Sequence, residues 1–463
     1  MTMRSVLHHR YFPWIFLPAV CLLSALLWLP SWQNPIVSDT SLYALLGESF
    51  WTTGRYAVLG ELHGKHLPFH AIASYPLVWA LGYGTGMKFS SLFAGFGVLI
   101  AAYFLFKRAL SREVAVLTVL AIAFHYGFVV MTMLGSADLL FTFLFLLSLH
   151  AYLNAEKEPR WYLAVSILLG LACLTRYNGV PLFLVFPLYT LWKRPRHFWS
   201  PLFLGSMVLG AAIFSTWFIR AYFAFGALTN DYTTELQGKT AGPLAQIFIS
   251  LKYYLHPFGN ILPILFLFSL YGLYRERRQS FLIVFMIGVW SLFLIWPVLN
   301  IRYTFPGYII LLAFAFLGVQ DLLRRFPRVS GALVTLILAS VIALDVFALC
   351  AYTYGSCNVI LDRNLPGFPK HLGFASEGFY TWDQARDYLN AHAEPGAEVT
   401  MLGPVNAAVF ARDHVFREDL GMQPEGPSIC PSYRITQEML PDEISIFQTV
   451  DVPVTYVAKR ECK

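Results

Sequence analysis

The sequence predicts a mainly α protein: a polytopic bundle of transmembrane helices followed by a small α/β appendage. Two observations predict it. First, 57% of the 463 residues are apolar, only 13% are charged, and the mean hydropathy is +0.57. Soluble domains carry about 25% charged residues, so the low charge points to a bilayer as solvent. Second, the first 353 residues divide almost completely into apolar runs near the ~20 residues that a span requires, whereas the remainder has ordinary polar composition. The net charge of +6 is spread over short clusters between the runs, a pattern of membrane orientation and not of nucleic-acid binding.

The runs lie at 11–32, 89–106, 113–134, 138–153, 161–175, 179–192, 199–219, 257–274, 280–299, 303–323 and 330–353. They predict about eleven helices. With the N-terminus inside, Arg4, Arg10, Lys107, Arg108, Arg112, Lys157, Arg160, Lys193, Arg194, Arg196, Arg275, Arg277, Arg278, Arg324, Arg325 and Arg328 all fall on one side. The outer loops hold half as many basic residues over greater length. The positive-inside rule therefore predicts N-in, C-out. The first run is long for a signal peptide and lacks an A-x-A-like cleavage site, so it is expected to remain as an anchor.

The expected division is a transmembrane module at 1–354, with long outer loops at 33–88 and 220–256, and an extracytoplasmic α/β domain at 355–463. Long connections are usually functional or disordered, and the aromatic content of the first loop argues for order. Residues 40–52 have helical apolar spacing and read as an interfacial helix; residues 244–255 look similar and lead into His256. In the tail, 381–393 and 405–412 read as helices, and 398–402 and 452–458 as strands. Cys357, Cys430 and Cys462 lie in the tail, where one disulfide is plausible, but spacing does not choose the pair.

Ionisable groups at span ends are costly and invite a functional hypothesis. Asp39 follows the first span, Asp138 opens the fourth, Arg176 ends the fifth and Arg302 opens the tenth. The topology puts all four at one membrane level, where two acids and two bases can face one cavity. Singly, each has a structural alternative: an aspartate can cap a helix N-terminus and an arginine can snorkel. Glu61, His63, His66 and His70 form the densest set of candidate metal ligands, although a His-rich loop can equally be polar surface or bind phosphate.

The order of these features resembles the GT-C superfamily of lipid-phosphate-sugar glycosyltransferases, and within it glycosyltransferase family 39, which includes protein O-mannosyltransferases and lipid A aminoarabinose transferases. The resemblance runs over about 10–325. It is carried by Asp39, Tyr43-Ala44, Thr53-Gly54-Arg55-Tyr56, Leu62-His63-Gly64-Lys65, Ser74-Tyr75-Pro76-Leu77, the Asp138-Leu139-Leu140 helix start, Leu174-Thr175-Arg176-Tyr177 and Arg302-Tyr303 with Pro306. Two departures stand out. Asp39-Thr40 replaces the usual Asp-Glu pair, which bears on any two-carboxylate metal site, and Tyr75-Pro76-Leu77 replaces Pro-Pro-Leu.

The resemblance implies inverting transfer of a hexosyl or pentosyl unit from a polyprenyl-phosphate donor to a glycolipid, glycan or protein acceptor on the extracytoplasmic side of a membrane, as in a bacterial inner membrane. Asp39 is the candidate general base and Asp138 the second acidic residue. Arg302, Arg176, Tyr303 and His256 are candidates for the donor phosphate, and Arg55, Tyr56, Tyr75 and Lys65 for acceptor or loop contacts. Some relatives bind a divalent cation. Membrane lipids are expected partners and nucleic acid is not. The rival readings are a transporter or flippase of lipid-linked substrates, which would favour mid-membrane charges and repeated broken helices, and a surface-glycan polymerase or ligase.

Overall fold

The computed structural model describes residues 9–29, 36, 39–228, 243–254, 263–276, 280–295 and 301–325, then 336, 339, 388–389, 391–394, 398–401, 421–422, 432–436, 444–448 and 456–460. The chain begins with α1 (Phe12–Trp28), followed by a layer of short elements built from the long first loop: α2 (Asp39–Thr53), the hairpin β1 (Ala57–Val58) and β2 (Glu61–Leu62), and α3 (Pro68–Leu81). The helix expected at 40–52 is α2. The Tyr75-Pro76-Leu77 step lies inside α3, where a proline leaves one carbonyl of the helix without its usual donor. Pro76 cannot donate to the Ile72 carbonyl, and the Trp51 indole on α2 donates to that oxygen instead at 3.0 Å. Trp51 also stacks on Tyr75. Gly47 lets the two helices meet closely, since a Cβ there would lie 2.5 Å from the Ala71 carbonyl oxygen.

The bundle continues through α4 (Tyr83–Ala109), α5 (Arg112–Phe124), α6 (Tyr126–Leu134), α7 (Ala137–Ala155), α8 (Trp161–Thr175), α9 (Leu182–Lys193), α10 (Pro195–Phe198) and α11 (Pro201–Phe225). After α12 (Pro243–Tyr254) come α13 (Pro263–Arg275), α14 (Ser280–Ile295) and α15 (Phe305–Arg325). Ten of the eleven apolar runs fall on these helices; the run at 330–353 lies outside the described residues apart from isolated positions. The run at 113–134 is two helices meeting at 55°. His125 makes the break: its Nδ1 accepts from the Gly127 N–H and so caps α6. Among the described residues, four helices are long and apolar enough to cross a membrane, or five if the bent pair is one span, with shorter apolar helices beside them.

α7 packs against α4 and α8, α8 against α11, and α13 against α15. Their shared core includes Tyr103, Phe106, Phe145, Tyr152 and Phe186, each fully buried, while Trp14, Trp79 and Phe223 stay exposed as expected of lipid-facing surface. In the tail, β3 (Glu398–Met401), β4 (Gly421–Met422), β5 (Ser432–Thr436), β6 (Ile444–Gln448) and β7 (Tyr456–Arg460) form one sheet in the order β4-β3-β5-β7-β6. β3 pairs in parallel with β4 and β5; β7 pairs antiparallel with β5 and β6. The strand expected at 398–402 is β3, and that expected at 452–458 overlaps β7 over its first three residues. Cys357, Cys430 and Cys462 lie outside the described residues, as do most of 381–393 and all of 405–412.

Candidate active site

Four helix ends bring four charges together. Asp39 occupies the first turn of α2 and Asp138 the first turn of α7. Arg176 follows the last residue of α8, and Arg302 lies in a 3-10 turn, Ile301–Thr304, that leads into α15. Arg302 Nη2 donates to Asp39 Oδ2 at 3.2 Å, and its Nε lies 3.8 Å from Asp138 Oδ2. Arg176 Nη2 donates to the same Asp138 oxygen at 2.7 Å. The Tyr303 ring lies beneath both guanidinium groups, 5.5 Å from that of Arg176 and 5.3 Å from that of Arg302.

The two aspartates sit in different surroundings. Asp138 is 3% exposed and accepts from the Ser136 hydroxyl and Arg176, with Arg302 at ion-pair distance; its backbone N–H is capped by Ser136 Oγ. Asp39 keeps 35% of its side chain exposed. Its Oδ1 lies 3.3 Å from His66 Nε2. Burial alone would raise the Asp39 pKa, but the His66 hydrogen bond and the positive charges of Arg302 and Arg176 outweigh it and hold the carboxyl well below the usual carboxylate range. Asp39 is thus an ionised, reachable carboxylate beside two guanidinium groups.

One backbone turn sets this geometry. Gly135 ends α6 in the left-handed region at φ 71°, which an L side chain adopts only at a cost, and Ser136 then caps α7. Thr40 donates to the Leu134 carbonyl at 2.6 Å, and a Cβ on Gly135 would lie 2.7 Å from Thr40 Cγ2. The residue next to Asp39 is therefore locked to the turn that precedes Asp138.

The candidate metal ligands do not converge. Glu61 is exposed on β2. His63 Nε2 accepts the His66 backbone N–H at 3.0 Å and lies 2.9 Å from His66 Nδ1. His70 is fully buried, with Nε2 3.1 Å from the Gly135 carbonyl, and the Tyr43 ring makes T-shaped contacts with both His66 and His70. Burial lowers the His63 pKa to about 3, helped by His66, Arg220 and Lys65. His70 falls to about 4, mainly through burial. Among the described residues no group of three or more His, Cys, Asp or Glu side chains is placed to hold a metal ion.

Of the other expected contacts, Arg55 is exposed, and Lys65 and Tyr75 are half-buried near the loop surface. Tyr56 is 3% exposed and donates its hydroxyl to the Leu67 carbonyl, so its side chain holds the loop instead of facing an acceptor. His256 lies outside the described residues. Sequence reasoning passed over Arg220, which bonds two loop carbonyls, and Lys88, which is 1% exposed on α4 beside Met87. Arg220 carried the same signal as Arg176, a basic residue near the end of an apolar run, and Lys88 had been assigned to the loop.

A bundle of apolar helices that presents this charged cluster at their ends has the architecture of an integral membrane protein. Residues 81–219 match the sequence model of a family described as dolichyl-phosphate-mannose-protein mannosyltransferase. The chain is similar to ArnT from Cupriavidus metallidurans in the apo state, at 16% identity and TM-score 0.61, over 97% of this chain and 98% of that one. The same figures hold for ArnT bound to undecaprenyl phosphate. It is also similar to the oligosaccharyltransferase of Archaeoglobus fulgidus tethered with an acceptor peptide, at 13% identity and TM-score 0.50, over 88% of this chain and 64% of that one. No curated protein sequence matches. The GT-C resemblance read from the motifs therefore holds.

Proposed function

We propose that this protein is an inverting membrane glycosyltransferase. It moves a sugar from a polyprenyl-phosphate donor to an acceptor hydroxyl on the non-cytoplasmic side of the membrane. The observation that carries the proposal is the asymmetry of the two carboxylates: Asp39 is partly open whereas Asp138 is enclosed by Arg176, Arg302 and Ser136. Asp39 takes the acceptor proton as the acceptor oxygen bonds to the anomeric carbon. The carbon–oxygen bond to phosphate breaks, and polyprenyl phosphate departs with the electron pair. Arg302 and Arg176 stabilise the charge that develops on the leaving phosphate, and Asp138 fixes both guanidinium groups. A phosphate that engages Arg302 also weakens its hold on Asp39, which raises the basicity of the carboxylate once donor is bound. Arg55, Lys65 and Tyr75, exposed or half-exposed in and beside the long first loop, are assigned to acceptor contacts in this reading. Among the described residues Glu61, His63, His66 and His70 form no group of three or more placed to hold a metal ion, and the reaction is written without a step through one. The structures bound to undecaprenyl phosphate and to an acceptor peptide support a lipid-linked donor and a separate acceptor for this fold.

Reconstituted protein given radiolabelled polyprenyl-phosphate mannose or aminoarabinose, with membrane glycolipid and protein extracts as acceptors, is expected to release polyprenyl phosphate and label an acceptor. Movement of the intact donor between leaflets without release would instead establish a flippase.

A further inference from the structure

We infer that Arg220, near the end of α11, is a positioning residue for Asp39 and acts through His63 and His66; the inference rests on the reaction proposed above. Its guanidinium fork closes the base of the β1–β2 hairpin. Nη1 donates to the His63 carbonyl and Nη2 to the Tyr56 carbonyl, each at 2.8 Å. The His63 N–H donates to the same Tyr56 oxygen at 3.0 Å. The guanidinium also lies over the Tyr56 ring at 5.3 Å and the Trp217 ring at 4.9 Å, so its plane is fixed from the sides as well as from the tips.

From the hairpin a continuous chain of bonds reaches the site. His63 Nε2 accepts the His66 N–H, and His66 Nε2 faces Asp39 Oδ1. Arg302 holds the other carboxylate oxygen. The Asp39 carboxylate is therefore oriented from two sides, by Arg302 on one and by a loop anchored to α11 on the other. One turn earlier on α11, Trp217 donates to the Tyr177 hydroxyl at 3.2 Å, and Tyr177 follows Arg176 directly. A single face of α11 thus sets the position of Asp39 and of the segment after Arg176, while touching neither carboxylate. A lysine cannot reproduce the fork, because one ammonium on a flexible stem does not span two carbonyls in fixed geometry.

The test compares wild type with Arg220→Lys and Arg220→Ala by amide hydrogen exchange over 56–66, undecaprenyl phosphate binding and donor turnover. Exchange at His63 and His66 is expected to speed up in Arg220→Ala and to a lesser degree in Arg220→Lys. Turnover should fall by about 10- to 100-fold in Arg220→Ala, as misplacement of a catalytic group would cause, with partial recovery in Arg220→Lys. Undecaprenyl phosphate should bind within about twofold of wild type, because the Arg220 guanidinium bonds the carbonyls of the loop and Asp138 still pairs with Arg176 and Arg302. Unchanged exchange overturns the inference whatever the rates do, and so do faster exchange with undiminished turnover and a parallel loss of phosphate binding. If wild type itself turns over no donor, the proposed reaction fails, and the exchange result alone then decides whether Arg220 holds the loop.

Discussion

Arg302 Nη2 lies 3.2 Å from Asp39 Oδ2, joining residues 263 positions apart. The contact ties the short turn before α15 to the first turn of α2, and it places a positive charge between an open carboxylate and an enclosed one. If that guanidinium receives the donor phosphate, Arg302→Gln should weaken undecaprenyl phosphate binding by about 10- to 100-fold, the worth of a lost charge-assisted hydrogen bond. Titration of the purified variant with undecaprenyl phosphate checks this, and unchanged affinity would remove Arg302 from the phosphate site.

Asp138 should matter more for stability than for chemistry. Its carboxylate sits between Arg176 at 2.7 Å and Arg302 at 3.8 Å. Asp138→Ala leaves both cations without that counter-charge and should cost roughly 3–5 kcal/mol. A second change, Arg176→Met, should return part of the loss. Denaturation midpoints of the single and double variants measure the coupling directly.

Gly135→Ala should cost about 1–2 kcal/mol, because an L residue at φ 71° meets the left-handed penalty. The added methyl also presses on Thr40, next to Asp39. A lowered midpoint with slower turnover is expected.

Two histidines, His70 buried and His63 half-buried, make stability acid-sensitive. His63 and His70 titrate near pH 3 and 4 in the fold, against about 6.5 in an unfolded chain. As pH falls below about 6.5, the unfolded state binds protons that the folded state does not, so stability declines toward pH 4 and is fully retained above 7. Thermal midpoints measured from pH 8 to pH 5 should fall, and His70→Gln should flatten the slope. Asp39 works in the opposite range. Its depressed pKa keeps it ionised throughout, and its stabilising pairing is lost only in strong acid, so turnover of the free enzyme should show no acid limb from this carboxylate between pH 5 and 8.

Much of the bundle was legible because burial in lipid demands unbroken apolar runs, and ten such runs lie on helices. The break at His125 was not legible: no Pro marks it, and the cap depends on a ring nitrogen meeting the Gly127 N–H. The helix α3 had no reading of its own within the long first loop; it carries Pro76, whose missing donor is compensated from another helix by Trp51, a long-range contact outside any local pattern. At the site, span-end charges pointed to Asp39, Asp138, Arg176 and Arg302 because desolvation makes such placements costly. For the histidines only their nearness to one another was legible; their separate partners, Asp39 for His66 and the Gly135 carbonyl for His70, are long-range contacts.

The most direct measurement is single-turnover release of polyprenyl phosphate by Asp39→Asn alongside its affinity for undecaprenyl phosphate. A nearly isosteric side chain that cannot accept the proton should leave binding close to wild type and slow release by about 100-fold or more. Release at the wild-type rate by a folded Asp39→Asn protein would contradict the assignment of the base and the mechanism built on it.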